Sequence, residues 1–194
     1  MIIDVSTYQG DIDWKAVSIS GVEKVILRST VKSGNLDPRF MKNYNGILQN
    51  TNATMKELDC YKFSYARDYI SAYMEAVKTF ETLKGHGVRL QVFDFFWVDL
   101  ESWNGRDYTT EEANAVLHGY EIAASKYGVK MGLYCNFNYI KHIIDPYWKT
   151  LPLWIARYNT TLGDIEPFKA YMWQYTDKGY VDGVPVPVDL SRYV

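Results

Sequence analysis

The sequence predicts an α/β barrel, built as five βα units followed by three strands and closed into a single domain over residues 1–194. Three observations predict it. Eight short apolar runs have the length and β-branched or aromatic content of buried strands. Amphipathic helical stretches separate the first five of them, and alternating βα units imply a parallel sheet. The last three runs follow one another with little helix between, which suits a chain of 194 residues, short for a complete eightfold βα barrel.

The elements run in order. Met1–Val5 is a first strand, followed by a short helix near Trp14–Ser18. Lys24–Arg28 is the second strand, with a helix over Phe40–Leu48 after it. Leu58–Tyr65 is the third. From Ile70 to Lys84, the residues Ile70, Tyr73, Met74, Val77 and Phe80 recur at helical spacing and mark that helix's expected core face. Val88–Glu101, rich in Val, Phe and Leu, reads as a long fourth strand. Glu111–Tyr127 is helical, with Ala113, Val116, Leu117, Tyr120, Ala124 and Tyr127 on one face. Thr109 and Glu112 make a capping box at its start, and Gly128 suits its C-terminal end. Val129–Cys135 is the fifth strand, followed by a helix over Phe137–Ile144. Strands over Leu153–Arg157, Tyr171–Tyr175 and Pro187–Leu190 complete the series.

Composition narrows the function. The net charge is −2, and no Lys/Arg run or basic stripe occurs, so a nucleic-acid partner is not expected. Cys60 and Cys135 lie far apart in apolar runs and read as buried free thiols. With the scattered His86, His118 and His142 they offer no zinc-ligand spacing, and no metal or organic cofactor is implied. No apolar run is long enough to span a membrane, and no basic segment followed by an apolar one marks a signal peptide. Aromatic residues are abundant, with 17 Tyr, 6 Trp and 8 Phe. Tyr and Trp join an apolar face to a polar edge, which suits wet concave surfaces and the flat C–H faces of sugars.

Barrel enzymes carry their chemistry at the C-terminal ends of the strands. Four carboxylates are expected there: Asp4 in strand one, Asp99 and Glu101 in strand four, and Asp189 in strand eight. Closure would bring strand eight beside strand one and make Asp4 and Asp189 neighbours. Residues i and i+2 of a strand face the same side, about 6.5–7 Å apart, so Asp99 and Glu101 would crowd each other. Like charges this close raise a pKa, as a general acid requires near neutral pH. Paired carboxylates are the usual equipment for glycosidic cleavage. No G-x-S-x-G, P-loop or Cys–His arrangement competes.

In sequence order the segments Asp4-Val5-Ser6-Thr7-Tyr8-Gln9-Gly10, Ile12-Asp13-Trp14, Tyr61 to Ala66, Asp99-Leu100-Glu101, Gly132 to Asn136, Leu153 to Tyr158, Trp173-Gln174-Tyr175-Thr176 and Val188-Asp189-Leu190 resemble the family 25 glycoside hydrolases, the Chalaropsis-type lysozymes. That resemblance implies a TIM-like (β/α)5(β)3 barrel acting on the peptidoglycan bond between N-acetylmuramic acid and N-acetylglucosamine. It implies Glu101 as general acid, Asp99 as charge stabiliser that orients the substrate's 2-acetamido group if that group is the internal nucleophile, and Asp4 and Asp189 as the rest of the cluster, with retention or inversion left open by the residues. Tyr65, Tyr134, Trp154 and Tyr158, near the ends of strands three, five and six, are expected to contact sugar. Arg28 is expected to pair with an acid of the site or to meet a lactyl or peptide carboxylate. Trp103 is a candidate loop contact. Two departures stand out. Ser191 follows Leu190 where the family usually has Asn, which would loosen the support of Asp189, and residues 51–59 lack a glycine-rich approach to strand three.

Two other readings fit the residues. Asp94 to Glu101 nearly spells the Asp-x-x-Asp-x-Asp-x-Glu pattern of family 18 chitinases, with Trp97 in place of the second Asp. A non-catalytic glycan-binding barrel would also use the aromatics, although it would not need four repelling acids. Without a signal peptide, a wall-cutting enzyme of this kind is expected to act outside the cell either after holin-type release, as a phage endolysin, or as the catalytic domain of a longer autolysin.

Overall fold

Alternation along the strands sets the architecture. In the computed structural model, which describes residues 1–194, eight strands close into one barrel in sequential order. They are β1 (Ile2–Val5), β2 (Lys24–Arg28), β3 (Glu57–Phe63), β4 (Phe96–Asp99), β5 (Met131–Asn136), β6 (Leu153–Ala156), β7 (Met172–Gly179) and β8 (Val188–Tyr193). The helices are α1 (Trp14–Ile19), α2 (Phe40–Asn50), α3 (Tyr69–Gly85), α4 (Thr110–Tyr127) and α5 (Phe137–His142). Neighbouring strands from β1 to β7 pair in parallel. β8 is antiparallel to both β7 and β1, and it closes the barrel.

Two apolar layers follow from the two-residue period of a strand. Val25, Leu27, Cys60, Val98, Leu133 and Ile155 point outward into the core shared with the helices. Ile2, Ile26, Trp97, Trp154 and Met172 point inward and fill the barrel. The interior Trp97 requires a missing side chain beside it: a Cβ on Gly132, its register partner on β5, would lie 2.5 Å from the Trp97 ring. Gly132→Ala is therefore expected to cost about 1–3 kcal/mol through overpacking, read as a lower urea midpoint with an unchanged slope.

The floor of the barrel is polar. Lys24, fully buried, places its ammonium 3.0 Å from Asp59, 3.4 Å from Glu57 and 3.6 Å from Asp94. Asp59 also accepts from the Trp97 indole at 2.8 Å and the Phe95 amide at 2.9 Å. The rings of Phe95, Tyr171 and Tyr193 surround the ammonium at 5.7–5.9 Å. A buried charge is tolerable only with this density of partners.

Several expectations change. The fourth strand is far shorter than Val88–Glu101: Leu90–Val92 forms a 3-10 turn, and Val88, Leu90 and Phe93 are buried as an apolar plug ahead of β4. An apolar run has no period that separates strand from plug. In α3, Ile70 is 70% and Met74 57% exposed, while Ala72, Ala76, Thr79, Phe80 and Leu83 are buried. The cause is the close approach of α4, where a Cβ on Gly119 would come within 2.6 Å of the Tyr69 carbonyl and 2.9 Å of the Ala72 Cβ. Such proximity turns Ala72 and Ala76 towards α4 and leaves Ile70 and Met74 outside, while Phe80 is buried as expected and Tyr73 and Val77 pack at the edge of the core. The α4 reading holds: the Thr109–Glu112 capping box is formed, and Gly128 ends the helix at φ 64°. Cys60 and Cys135 are free and buried. The approach to β3 is held without glycines. Asn52 accepts from the amides of Thr54 and Met55 and donates to the Ser18 carbonyl, and Met55 is buried beneath it.

Candidate active site

The inward-facing positions nearest the mouth of the barrel carry the acids. Asp4 of β1 stands in register with Asp189 of β8, as barrel closure requires. Asp189 is the second residue of its strand, not near its end as expected. Because β8 runs antiparallel, its beginning lies at the same rim as the ends of β1 and β4. Asp99 ends β4, and Glu101 lies just beyond it, past the buried Leu100. All four line one cleft of about 350 Å³.

The cleft raises the proton affinity of each acid. Burial pushes Asp4 well above the usual carboxylate range, and the neighbouring Asp189 adds to this. Burial, then the charge of Glu101, does the same to Asp99, against a smaller pull from Arg28. Glu101 is raised by burial and by Asp189, and Asp189 by burial. The contact between the two side chains raises Asp4 further and lowers Asp189. One oxygen of Asp99, Oδ1, is buried without a hydrogen-bond partner.

Gln174 of β7 was no site candidate, yet it organises this end of the barrel. Its Oε1 accepts from the hydroxyls of Tyr134 at 2.9 Å and Tyr158 at 2.8 Å, which directs its Nε2 to Asp4 Oδ2 at 3.1 Å. Its sequence signal was its place in the Trp173-Gln174-Tyr175-Thr176 segment, which carries the family resemblance but assigns Gln174 no role. Tyr8, Tyr61 and Phe63 also line the cleft without having been singled out; strand alternation from Asp59 inward would have found the last two.

The expected contact residues all reach the cleft. Tyr134 and Trp154 are nearly buried, form its floor and pack on each other with ring centroids 4.4 Å apart. The Trp154 indole donates to Ser191 Oγ at 3.0 Å, so the serine supports Trp154, and the expected link from position 191 to Asp189 is not the one made. Tyr65 is held from behind by Glu75 of α3, which accepts from the Tyr65 amide, the Ser64 hydroxyl and the Tyr120 hydroxyl. Tyr65, Phe63 and Trp103 form an aromatic platform with centroids 4.9–5.8 Å apart. Arg28 lies within 4 Å of no carboxylate, so the expected direct ion pair with an acid of the site is not made.

The sequence model for Glycosyl hydrolases family 25 matches residues 3–184. The chain belongs to that family. The autolytic lysozyme of Clostridium acetobutylicum is 28% identical over 98% of this chain and 55% of its own length. The modular autolysin LytC of Streptococcus pneumoniae shares the fold, with a TM-score of 0.82 and 23% identity over 98% of this chain and 45% of LytC. The CTP1L endolysin aligns over the whole chain and 66% of its own, at 28% identity and a TM-score of 0.74. The chain thus spans about half the length of the autolytic lysozyme and of LytC. The likeness to the family 18 pattern is confined to Asp99 and Glu101. Asp94 belongs to the floor beside Lys24, and Trp97 is the interior tryptophan seated on Gly132.

A cleft built this way carries a stability cost with a definite sign. A carboxyl whose folded pKa is raised binds its proton more tightly when folded. Stability is therefore greatest below the ordinary carboxylate pKa and falls as pH rises through the raised one. Asn at position 4 can accept from Gln174, as Asp4 does, and can donate to Asp189 without carrying a charge. Asp4→Asn should raise Tm at pH 7 by a few degrees, about 1 kcal/mol for a domain of this size. The gain should shrink towards zero near pH 4, as scanning calorimetry at the two pH values would show.

Proposed function

We propose that residues 1–194 form the catalytic domain of a muramidase, which hydrolyses the β-1,4 bond between N-acetylmuramic acid and N-acetylglucosamine in peptidoglycan. The observation that carries this reading is Glu101, half-buried at the cleft mouth with a raised pKa, beside three further acids and an aromatic platform. A carboxylic acid kept protonated near neutral pH is what the leaving oxygen of a glycoside needs. Family membership supports it, as does the structure of S. pneumoniae LytC determined with a synthetic peptidoglycan ligand.

In this mechanism Glu101 delivers its proton to the glycosidic oxygen as the C1–O bond breaks. The orphaned Asp99 Oδ1 accepts from the N–H of the substrate's 2-acetamido group and aligns its carbonyl oxygen. That oxygen attacks C1 and forms an oxazolinium ion. Water, deprotonated by the Glu101 carboxylate, then opens the ion at C1 with net retention. The unprotonated carboxylates stabilise the positive charge that develops at the anomeric carbon. NMR of the first-formed product tests the stereochemistry, and an inverted anomer would remove the acetamido route.

The substrate places the site of action at the cell wall. The domain would reach it by holin-type release or within a longer secreted protein, in line with the endolysin and autolysin relatives. Incubation with Gram-positive sacculi and, in parallel, with chitin oligosaccharides tests the assignment. Solubilised sacculi with intact chitin oligomers are expected. Cleavage of chitin alone would make the domain a chitinase, and tight binding of glycan without cleavage would make it a lectin-like barrel.

A further inference from the structure

Resting on the muramidase reading, we infer that Lys62, buried outside the barrel wall, is a positioning residue of the reaction: paired with Glu75, it backs the Tyr65 ring and holds a fixed positive charge behind Asp99. Alternation sets its place. Tyr61 and Phe63 of β3 line the cleft, so Lys62 between them points outward. Its register partner on β4 is Val98, and the next pair along is Phe63 and Asp99. The side chain is fully buried. Its ammonium lies 3.4 Å from Glu75 of α3, 3.3 Å from the Val31 carbonyl and 4.6 Å from the centre of the Tyr65 ring. Glu75 is held in turn by the Ser64 hydroxyl at 2.9 Å, the Tyr65 amide at 3.2 Å and the Tyr120 hydroxyl of α4 at 2.8 Å. The Ser64 amide donates to the Asp99 carbonyl at 2.9 Å. The pair is therefore tied both to the aromatic platform and to the strand end that carries Asp99.

Packing alone does not account for the pair. A buried ion pair is often no more stabilising than apolar side chains of the same volume, and the neighbouring outward positions, Cys60 and Val98, are apolar. The charge does reach Asp99. Glu101 and Asp189 press a proton onto that carboxyl, with Asp4 beside them, and two cations oppose them: Arg28 of β2 more strongly, then Lys62. Asp99 feels Lys62 more than it feels Glu75. The phenols of Tyr61 and Tyr134 that face the acids are pushed up by burial and stay neutral. Lys62 itself faces Glu75 and Arg28; burial weakens its hold on the proton, and Glu75 restores part of it. Lys32, from the loop after β2, approaches the Tyr65 ring at 5.5 Å. Asp99 has to be a carboxylate to hold the acetamido N–H and to face the developing positive charge. Lys62 extends to lower pH the range over which it is one.

The test is the pH profile of kcat/KM for sacculus solubilisation, across the range in which circular dichroism shows each protein folded. Removing a cation makes a nearby carboxyl keep its proton to higher pH. Lys62→Met should therefore move the acidic limb, set by Asp99, upward by about half a pH unit or more, a loss of about threefold in rate along that limb. The basic limb, set by Glu101, answers to burial and to Asp189 and should stay in place. The double variant Lys62→Met/Glu75→Gln leaves no buried carboxylate without its counter-ion and should show the same displacement. Lys62→Arg keeps the charge and should return the limb towards that of the parent. A pair that only holds the fold together would lower Tm and leave the profile unmoved. Coincident profiles for the parent and both Met variants, or equal displacement by Met and by Arg, would overturn the role of Lys62 and leave the muramidase reading intact. A parent protein inactive on sacculi at every pH would overturn both.

Discussion

Replacing Glu101 with Gln should lower kcat on peptidoglycan by about 10²–10⁴-fold, the usual worth of a positioned general acid, with KM changed little. The amide preserves the shape of the side chain but has no proton to give the leaving oxygen. It also removes one of the charges that raise Asp99, so the variant should be at least as stable as the parent. Initial rates of sacculus solubilisation, with circular dichroism to confirm the fold, give the answer. A variant retaining more than a tenth of the parent kcat would remove Glu101 from the role of acid.

The second large effect lies at the opposite end of the barrel. Lys24→Met should cost about 3–5 kcal/mol, because it strips Asp59 of its counter-ion while leaving that carboxyl fully buried. For a domain of this size that is a fall in Tm of roughly 10 °C or more. Asp59 would keep its bonds from Trp97 and Phe95, so the added replacement Asp59→Leu should recover only part of the loss. Lys24 begins β2 and Arg28 ends it, about 13 Å along the strand, so kcat measured well below the lowered Tm should stay close to that of the parent. Urea unfolding of the two variants measures the first effect. A loss under 1 kcal/mol would show that the floor cluster is not an energetic unit.

Most of the barrel was legible because strand alternation and βα order are properties of local sequence. Two elements were not. The face that α3 buries depends on how near α4 comes, and Gly119, the residue that permits the approach, lies 50 positions away from Tyr69 in the chain. The run from Val88 to Glu101 offered no period, and only tertiary packing turns its first half into a plug. The acids of the site were readable from their places near strand ends, and Asp189 reached the rim although its strand runs the other way. Gln174 escaped notice because a neutral amide in an aromatic strand carries no chemical signal until two phenols fix its orientation. The floor cluster escaped for a related reason: Lys24, Asp59 and Asp94 sit on or beside three different strands and meet only when the barrel closes.

The most direct test is to digest Gram-positive peptidoglycan with the protein and with Glu101→Gln in parallel, reduce the products and identify the new ends by mass spectrometry. Fragments ending in reduced N-acetylmuramic acid, abundant with the parent and absent with the variant, are the predicted result. Reduced N-acetylglucosamine ends, or muramic ends produced equally by both proteins, would contradict it.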